Sequence, residues 1–158
     1  LARVCGVSLD WIAFGTAGGS PSGAAEVQTT STRQIVVPWY DNREDGLRIG
    51  RDWLQQAVPR DLSTLCLITN EGDAMEPTLS SGDLVIVDRG VTAVSGSALY
   101  ALESAGTLMV RRLDPRLGGG VRVIADNHRY PPQDIAADRL DCFRLLGEVA
   151  WIGGVPHS

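Results

Sequence analysis

Lysine is absent from this chain: all 14 of its basic residues are arginine. That excludes any mechanism in which a lysine amine accepts a proton or forms a Schiff base, and a guanidinium, which stays protonated in proteins, cannot replace it. Basic runs are missing as well, and the formal net charge is −5. Such a chain has no clustered charge with which to hold a phosphate backbone by itself. Cysteine is scarce: Cys5, Cys66 and Cys142 are odd in number and share no metal-ligand spacing, so reduced thiols of a cytoplasmic protein are expected. His128 and His157 have no partner ligands at metal spacing, and neither a metal nor another cofactor is expected. No apolar run approaches the ~20 residues that cross a bilayer, and the first residues lack a signal-peptide layout, which predicts no membrane partner.

What is present suits one globular domain with a tail, since 158 residues at 44% hydrophobic content can bury a core. In residues 1–15, LARVCGVSLDWIAFG, Ser8 can cap a short helix with Leu9, Ile12 and Ala13 on one face and Gly15 as its stop. Residues 16–34 are small and polar, with clustered glycine and a proline, which is linker composition. From Ile35 the sequence turns β-branched and aromatic (IVVPWY), with Pro38 marking an edge or a strand end. Residues 51–57 predict a short helix with Trp53, Leu54 and Ala57 on one side. Strand-length apolar runs follow at 65–69, 84–88, 98–103, 108–113, 121–125 and 143–152, several separated by glycine-containing turns. Many short strands and few helices predict a mostly β fold.

The most specific stretch is Glu71-Gly-Asp-Ala-Met-Glu-Pro-Thr-Leu79, followed by Ser81-Gly-Asp-Leu-Val-Ile-Val-Asp88. It reads as a Gly-Asp turn, a short proline-containing turn, a second Gly-Asp turn and a strand. Asp73, Asp83 and Asp88 suit turn capping better than a cation site. A tight turn between strands can present one side chain and adjacent backbone N–H groups, Met75 among them, to a reacting carbonyl. A serine at position 74 would be a nucleophile there; Ala74 has no oxygen to attack with.

This stretch resembles the G-D-S-M-x-P-T-L signature of the S24 peptidases, the family of LexA, UmuD and the lambda-type repressors, residue for residue except at Ala74. Three further segments resemble that family in the same order: Met109-Val-Arg-Arg-Leu113, Ala125-Asp-Asn-His-Arg-Tyr-Pro131 and Leu146-Gly-Glu-Val-Ala-Trp-Ile-Gly153. The resemblance covers roughly residues 35–154. It implies a LexA/signal-peptidase-like β-rich fold with short helices, and a domain at residues 35–158 that oligomerises and regulates. It also places Ala74 at the serine-nucleophile position, Arg111 at the general-base lysine position and the Met75 N–H at the oxyanion. A lysine serves as base only when burial populates its neutral amine, and arginine cannot follow it there. No cleavage activity is therefore expected. Either Ala74 is an engineered replacement of serine, or the chain is a natural member that has lost cleavage; were the lysine strand misaligned, no lysine elsewhere could serve. The fixed charge of Arg111 would pair with a nearby carboxylate and hold the old site closed.

The family cuts an Ala-Gly or Cys-Gly bond upstream of its site. Ala17-Gly18 fits the dipeptide within linker composition, as a vestigial cleavage site or as plain linker, and Cys5-Gly6 fits it within the helical end. Residues 4–15 are similar to the close of phage-repressor helix-turn-helix domains, so 1–15 is expected to be the remnant of a DNA-binding domain otherwise absent here. The bland reading is an amphipathic helix of this domain's own core. The expected partners are a second copy of the chain, operator DNA through the absent domain, and an antirepressor or RecA-type activator. Trp39, Trp53 and Trp151 are expected as core or interface anchors. Leu146, Val149 and Trp151, on a final strand taken as an exposed edge, are expected at a dimer interface. The function implied is the dimerisation and regulatory domain of a phage-type transcriptional repressor. Its rivals are a Ser→Ala trapped self-cleaving repressor of the damage response and a UmuD-like polymerase accessory subunit.

Overall fold

Two β-branched or glycine-flanked segments, β1 (Gln34–Pro38) and β2 (Gly46–Gly50), pair into a ribbon at the start of the fold. The computed structural model describes residues 33–156. The helix predicted around Leu9, Ile12 and Ala13, most of the linker, Cys5-Gly6, Ala17-Gly18 and His157 lie outside the described residues. Val37 of β1 is buried, and beyond the strand the Tyr40 N–H donates to the Leu67 carbonyl at 2.9 Å, fastening the ribbon to the main sheet.

Helix α1 (Arg51–Ala57) has the predicted span but a different inner face. Leu54 and Val58, four residues apart, are the buried pair, while Ala57 is exposed and Trp53 is 48% exposed. The stripe that meets the core is the i, i+4 aliphatic pair. Trp53 instead meets Trp151 edge-on, with ring centroids 5.9 Å apart. Asp61 then caps a 3-10 turn (Leu62–Thr64), accepting the Ser63 N–H at 2.9 Å.

The remaining strands are β3 (Leu65–Thr69), β4 (Leu84–Asp88), β5 (Ala98–Ser104), β6 (Thr107–Pro115), β7 (Val121–Ile124), β8 (Gln133–Ile135) and β9 (Arg144–Gly153). They form a seven-stranded sheet in the order β3-β4-β9-β5-β6-β7-β8, every neighbouring pair antiparallel. The mostly β expectation is met. The final strand is a correction: β9 is no edge strand, because β4 and β5 pair with it on either side. An unpaired backbone row is therefore not what β9 offers a partner, and Leu146, 7% exposed, packs inside the core.

Alternation along the strands sends their side chains to opposite faces. Val85, Val87, Ala101, Val110 and Leu146 join Met75 and Leu79 in one buried cluster. Ile86 packs with Val37, Leu54 and Leu67, and Tyr100, Leu102 and Leu113 pack with Val121. Burial in the first cluster pushes the Cys66 thiol up to about 11, so this cysteine is a packing residue and not a thiolate. Arg60 ties α1's exit to the sheet, donating to Asp88 at 3.1 Å and to Glu148.

Candidate functional site

The connection from β3 to β4 is closed at its base by the backbone. Asn70 donates its N–H to the Asp83 carbonyl and accepts from the Gly82 N–H, both at 2.9 Å. Gly72 and Gly82 take φ of 87° and 96°, a region in which a side chain is strained, which explains the two Gly-Asp turns of the motif. Asp83 caps the second turn, accepting the Ser80 N–H at 2.8 Å, and Asp88 accepts the Gly90 N–H at 2.8 Å. Between the two Gly-Asp turns the chain folds into one tight turn, with the Leu79 N–H on the Met75 carbonyl at 2.9 Å and both side chains fully packed. Met75 is buried as a whole residue at 1% exposed, and Ala74, 7% exposed, stands just before it.

A second loop, from Ala125 to Pro131, grips this turn. The Asn127 N–H donates to the Ala74 carbonyl at 3.0 Å, and its side-chain amide donates to the Asp73 carbonyl at 2.9 Å. Tyr130 donates its phenol to the Asp73 carboxylate at 2.6 Å, with the Arg129 guanidinium 3.8 Å from the same group. The side chain of Asp73 therefore joins two loops, where a turn cap was expected. A second clamp runs beside it: Thr78 donates to Asp126 at 2.5 Å, and Arg112 donates to Asp126 through two nitrogens at 3.0 and 2.8 Å. Position 74 is held from both sides.

Arg112 holds the Asp126 carboxyl below the usual carboxylate range, and the Thr78 hydroxyl adds to this while partial burial opposes it. A depressed folded pKa means the clamp's contribution is complete above the unfolded value of about 4 and is lost as pH falls through the folded value. Asp126→Asn is expected to cost about 1–2 kcal/mol at neutral pH and to flatten the loss of stability below about pH 4. Urea unfolding of parent and variant on both sides of that window reads the effect. Identical acid slopes would show that this carboxylate does not carry it.

The two arginines of the β6 motif part company. Arg112 shares the face of Val110 and carries the clamp, whereas Arg111 shares the face of Met109 and Leu113. Arg111 enters a cleft of about 330 Å³ with Met109, Val123, Tyr130, Pro131 and Phe143 among its walls. Its Nη1 donates to the Val110 carbonyl at 2.7 Å. Among the described residues no carboxylate lies within ion-pair distance of it, so the expected closing salt bridge is not formed. Burial pulls the Arg111 pKa below the ordinary arginine value, with Tyr130 acting the other way. Ala74 is not a wall of this cleft; Tyr130 links the two positions, touching Asp73 by its phenol and standing beside Arg111.

Val149 and Trp151 are half-buried and Cys142 is exposed. Trp39 is half-buried beneath the Arg43 guanidinium, 4.7 Å from the ring centre. His128 lies on the rim beside Asn127. Among the described residues no three His, Cys, Asp or Glu side chains are grouped to hold a metal ion, and no helix is long and apolar enough to cross a membrane.

Known proteins are similar to this chain in sequence. The chain is 30% identical to the HTH-type transcriptional regulator PrtR of Pseudomonas aeruginosa, over 99% of this chain and 75% of that protein. It is 22% identical to an uncharacterized HTH-type transcriptional regulator of Haemophilus influenzae, over 97% of this chain and 76% of that one. The 26 kDa repressor protein of Escherichia phage HK022 is 34% identical over 52% of this chain and 35% of its own length. The Peptidase S24-like family matches residues 26–153, which takes in both loops, the β6 motif and all of β9. The chain belongs to the Peptidase S24-like family.

Proposed function

We propose that the chain is the dimerisation and regulatory part of a helix-turn-helix transcriptional repressor of phage or prophage type, working without self-cleavage. One observation carries the reading: a doubly clamped turn that holds alanine where the family carries serine, in a chain that has no lysine. Relatives named as HTH-type regulators, similar over nearly the whole chain, support the repressor role. Two copies would pair two DNA-reading heads on a symmetric operator, and the gain is effective concentration without any new base contact. Release from operator DNA would then fall to an antirepressor acting on this domain, whereas a RecA-type activator belongs with the self-cleaving rival.

The surface favoured for pairing lies around Trp151, with exposed Trp53 edge-on to it; Val149 packs against the cluster on the opposite face of the sheet, and Leu146 belongs to that cluster's core. Light scattering on the eluting full chain at tens of micromolar is expected to read a dimer or larger. A strict monomer would overturn the association role. The rival, a self-cleaving repressor trapped by Ser→Ala, differs in what a restored serine does.

A further inference from the structure

Three arginines in and around β6 and β7 have acidic partners: Arg112 meets Asp126, and Arg122 and Arg116 both meet Asp134. Arg111 departs from this pattern inside a cleft. One of its nitrogens is spent on the carbonyl of Val110 and, among the described residues, no carboxylate answers its charge. A half-buried guanidinium has lost part of its hydration and gains most from a ligand that brings a charge of opposite sign. Its planar fork suits a carboxylate bidentately. The walls beside it, Met109, Val123 and Phe143, are apolar, and the volume of about 330 Å³ holds a few side chains rather than a large cofactor. Gln133 and Ile135 of β8 line the same cleft, and β8 ends the sheet. An extended peptide can add to such an edge while placing alternate side chains in the cleft.

We propose that this cleft is a peptide-binding site that reads a carboxylate on an otherwise apolar extended segment, with Arg111 as the contact that selects it. The site needs no reaction at position 74 and holds whether or not the chain regulates transcription. Arg111 would thus have traded a base for a recognition group. The carboxylate can be an acidic side chain or a peptide C-terminus, and both present the same planar anion.

The test is a titration of the isotope-labelled full chain, followed through the Arg111 Nε–H and Met109 methyl signals. Two probe pairs are used: acetyl-Ala-Val-Glu-amide against its Gln counterpart, and acetyl-Ala-Leu with a free C-terminus against its amide. At least one acid probe is expected to saturate the cleft signals about tenfold or more tighter than its amide counterpart, and the winning pair identifies the source of the carboxylate. Arg111→Gln is expected to abolish the preference. The proposal is overturned if neither acid probe saturates, if acid and amide bind alike, or if Arg111→Gln keeps the acid preference. Should that variant fail to fold, the acid–amide comparison on the parent chain decides alone.

Discussion

Replacing Gly147 by alanine is expected to destabilise the fold by about 3 kcal/mol or more, lowering the melting temperature by roughly 10 °C, although one methyl is all that is added. A Cβ at this position would stand 2.2 Å from the Asp88 carbonyl oxygen and 2.9 Å from the Val87 Cγ1. Relief by backing away is closed off. Gly147 is paired to Ala101 of β5, and its neighbour Glu148 is paired to Asp88 of β4, so a shift in either direction strains a ladder. The Asp88 side chain is also engaged by Thr64 and Arg60, which leaves its backbone little room to yield. Gly96→Ala is the matching control: nothing lies within 4 Å of its Cβ position, and a change within about 0.5 kcal/mol is expected there. Thermal and urea unfolding of both variants read the contrast. A Gly147→Ala protein as stable as the control would show that β9 is not held between its neighbours as described.

The same strand marks where sequence stops short of structure. Continuous apolar runs closed by turns gave β3 and β4 their residue bounds, 65–69 and 84–88, because a strand buried on both faces needs no alternation to be seen. The apolar run of β9 was equally visible, but an edge and a centre look alike until pairing is known, and the centre was the outcome. Short, half-exposed β2 (GLRIG) and β8 (QDI) carry no apolar run and leave no such trace. In α1 helical spacing placed Trp53, Leu54 and Ala57 on the inner side, but Leu54 and Val58 occupy it.

At the site the motif turn was legible because glycine and aspartate perform local backbone work. The clamps were not: Tyr130 and Asp73 are 57 residues apart, and Thr78 and Asp126 are 48 apart, so only the fold reveals them as partners. Adjacent arginines were likewise indistinguishable by type. Strand alternation alone sends Arg112 to a carboxylate and Arg111 into the cleft.

Restoring serine at position 74 is expected to yield no cleavage, and restoring the serine together with lysine at 111 is expected to yield it. In Ala74→Ser alone, the hydroxyl faces a chain whose basic residues are all guanidinium. Burial weakens the hold of Arg111 on its proton, yet an arginine in a protein stays charged and cannot serve as the base. Lysine in the same cleft meets different arithmetic. The surroundings that desolvate Arg111, with no carboxylate to hold the charge, would lower an amine's pKa and populate the neutral base. General-base catalysis contributes about 100- to 10,000-fold, so the double variant should exceed the serine variant by at least that lower figure. Its rate should climb between about pH 7 and pH 10, as the remaining protonated amine is titrated away. Mass spectrometry of the full chain after incubation across that range reads both rate and place, with Ala17-Gly18 the expected bond. Equal cutting by the serine variant alone would overturn the role given to Arg111 and favour the trapped-repressor reading. An uncut double variant would mean that the two clamps no longer hold position 74 in a productive pose, so that more than two side chains separate this turn from an active one.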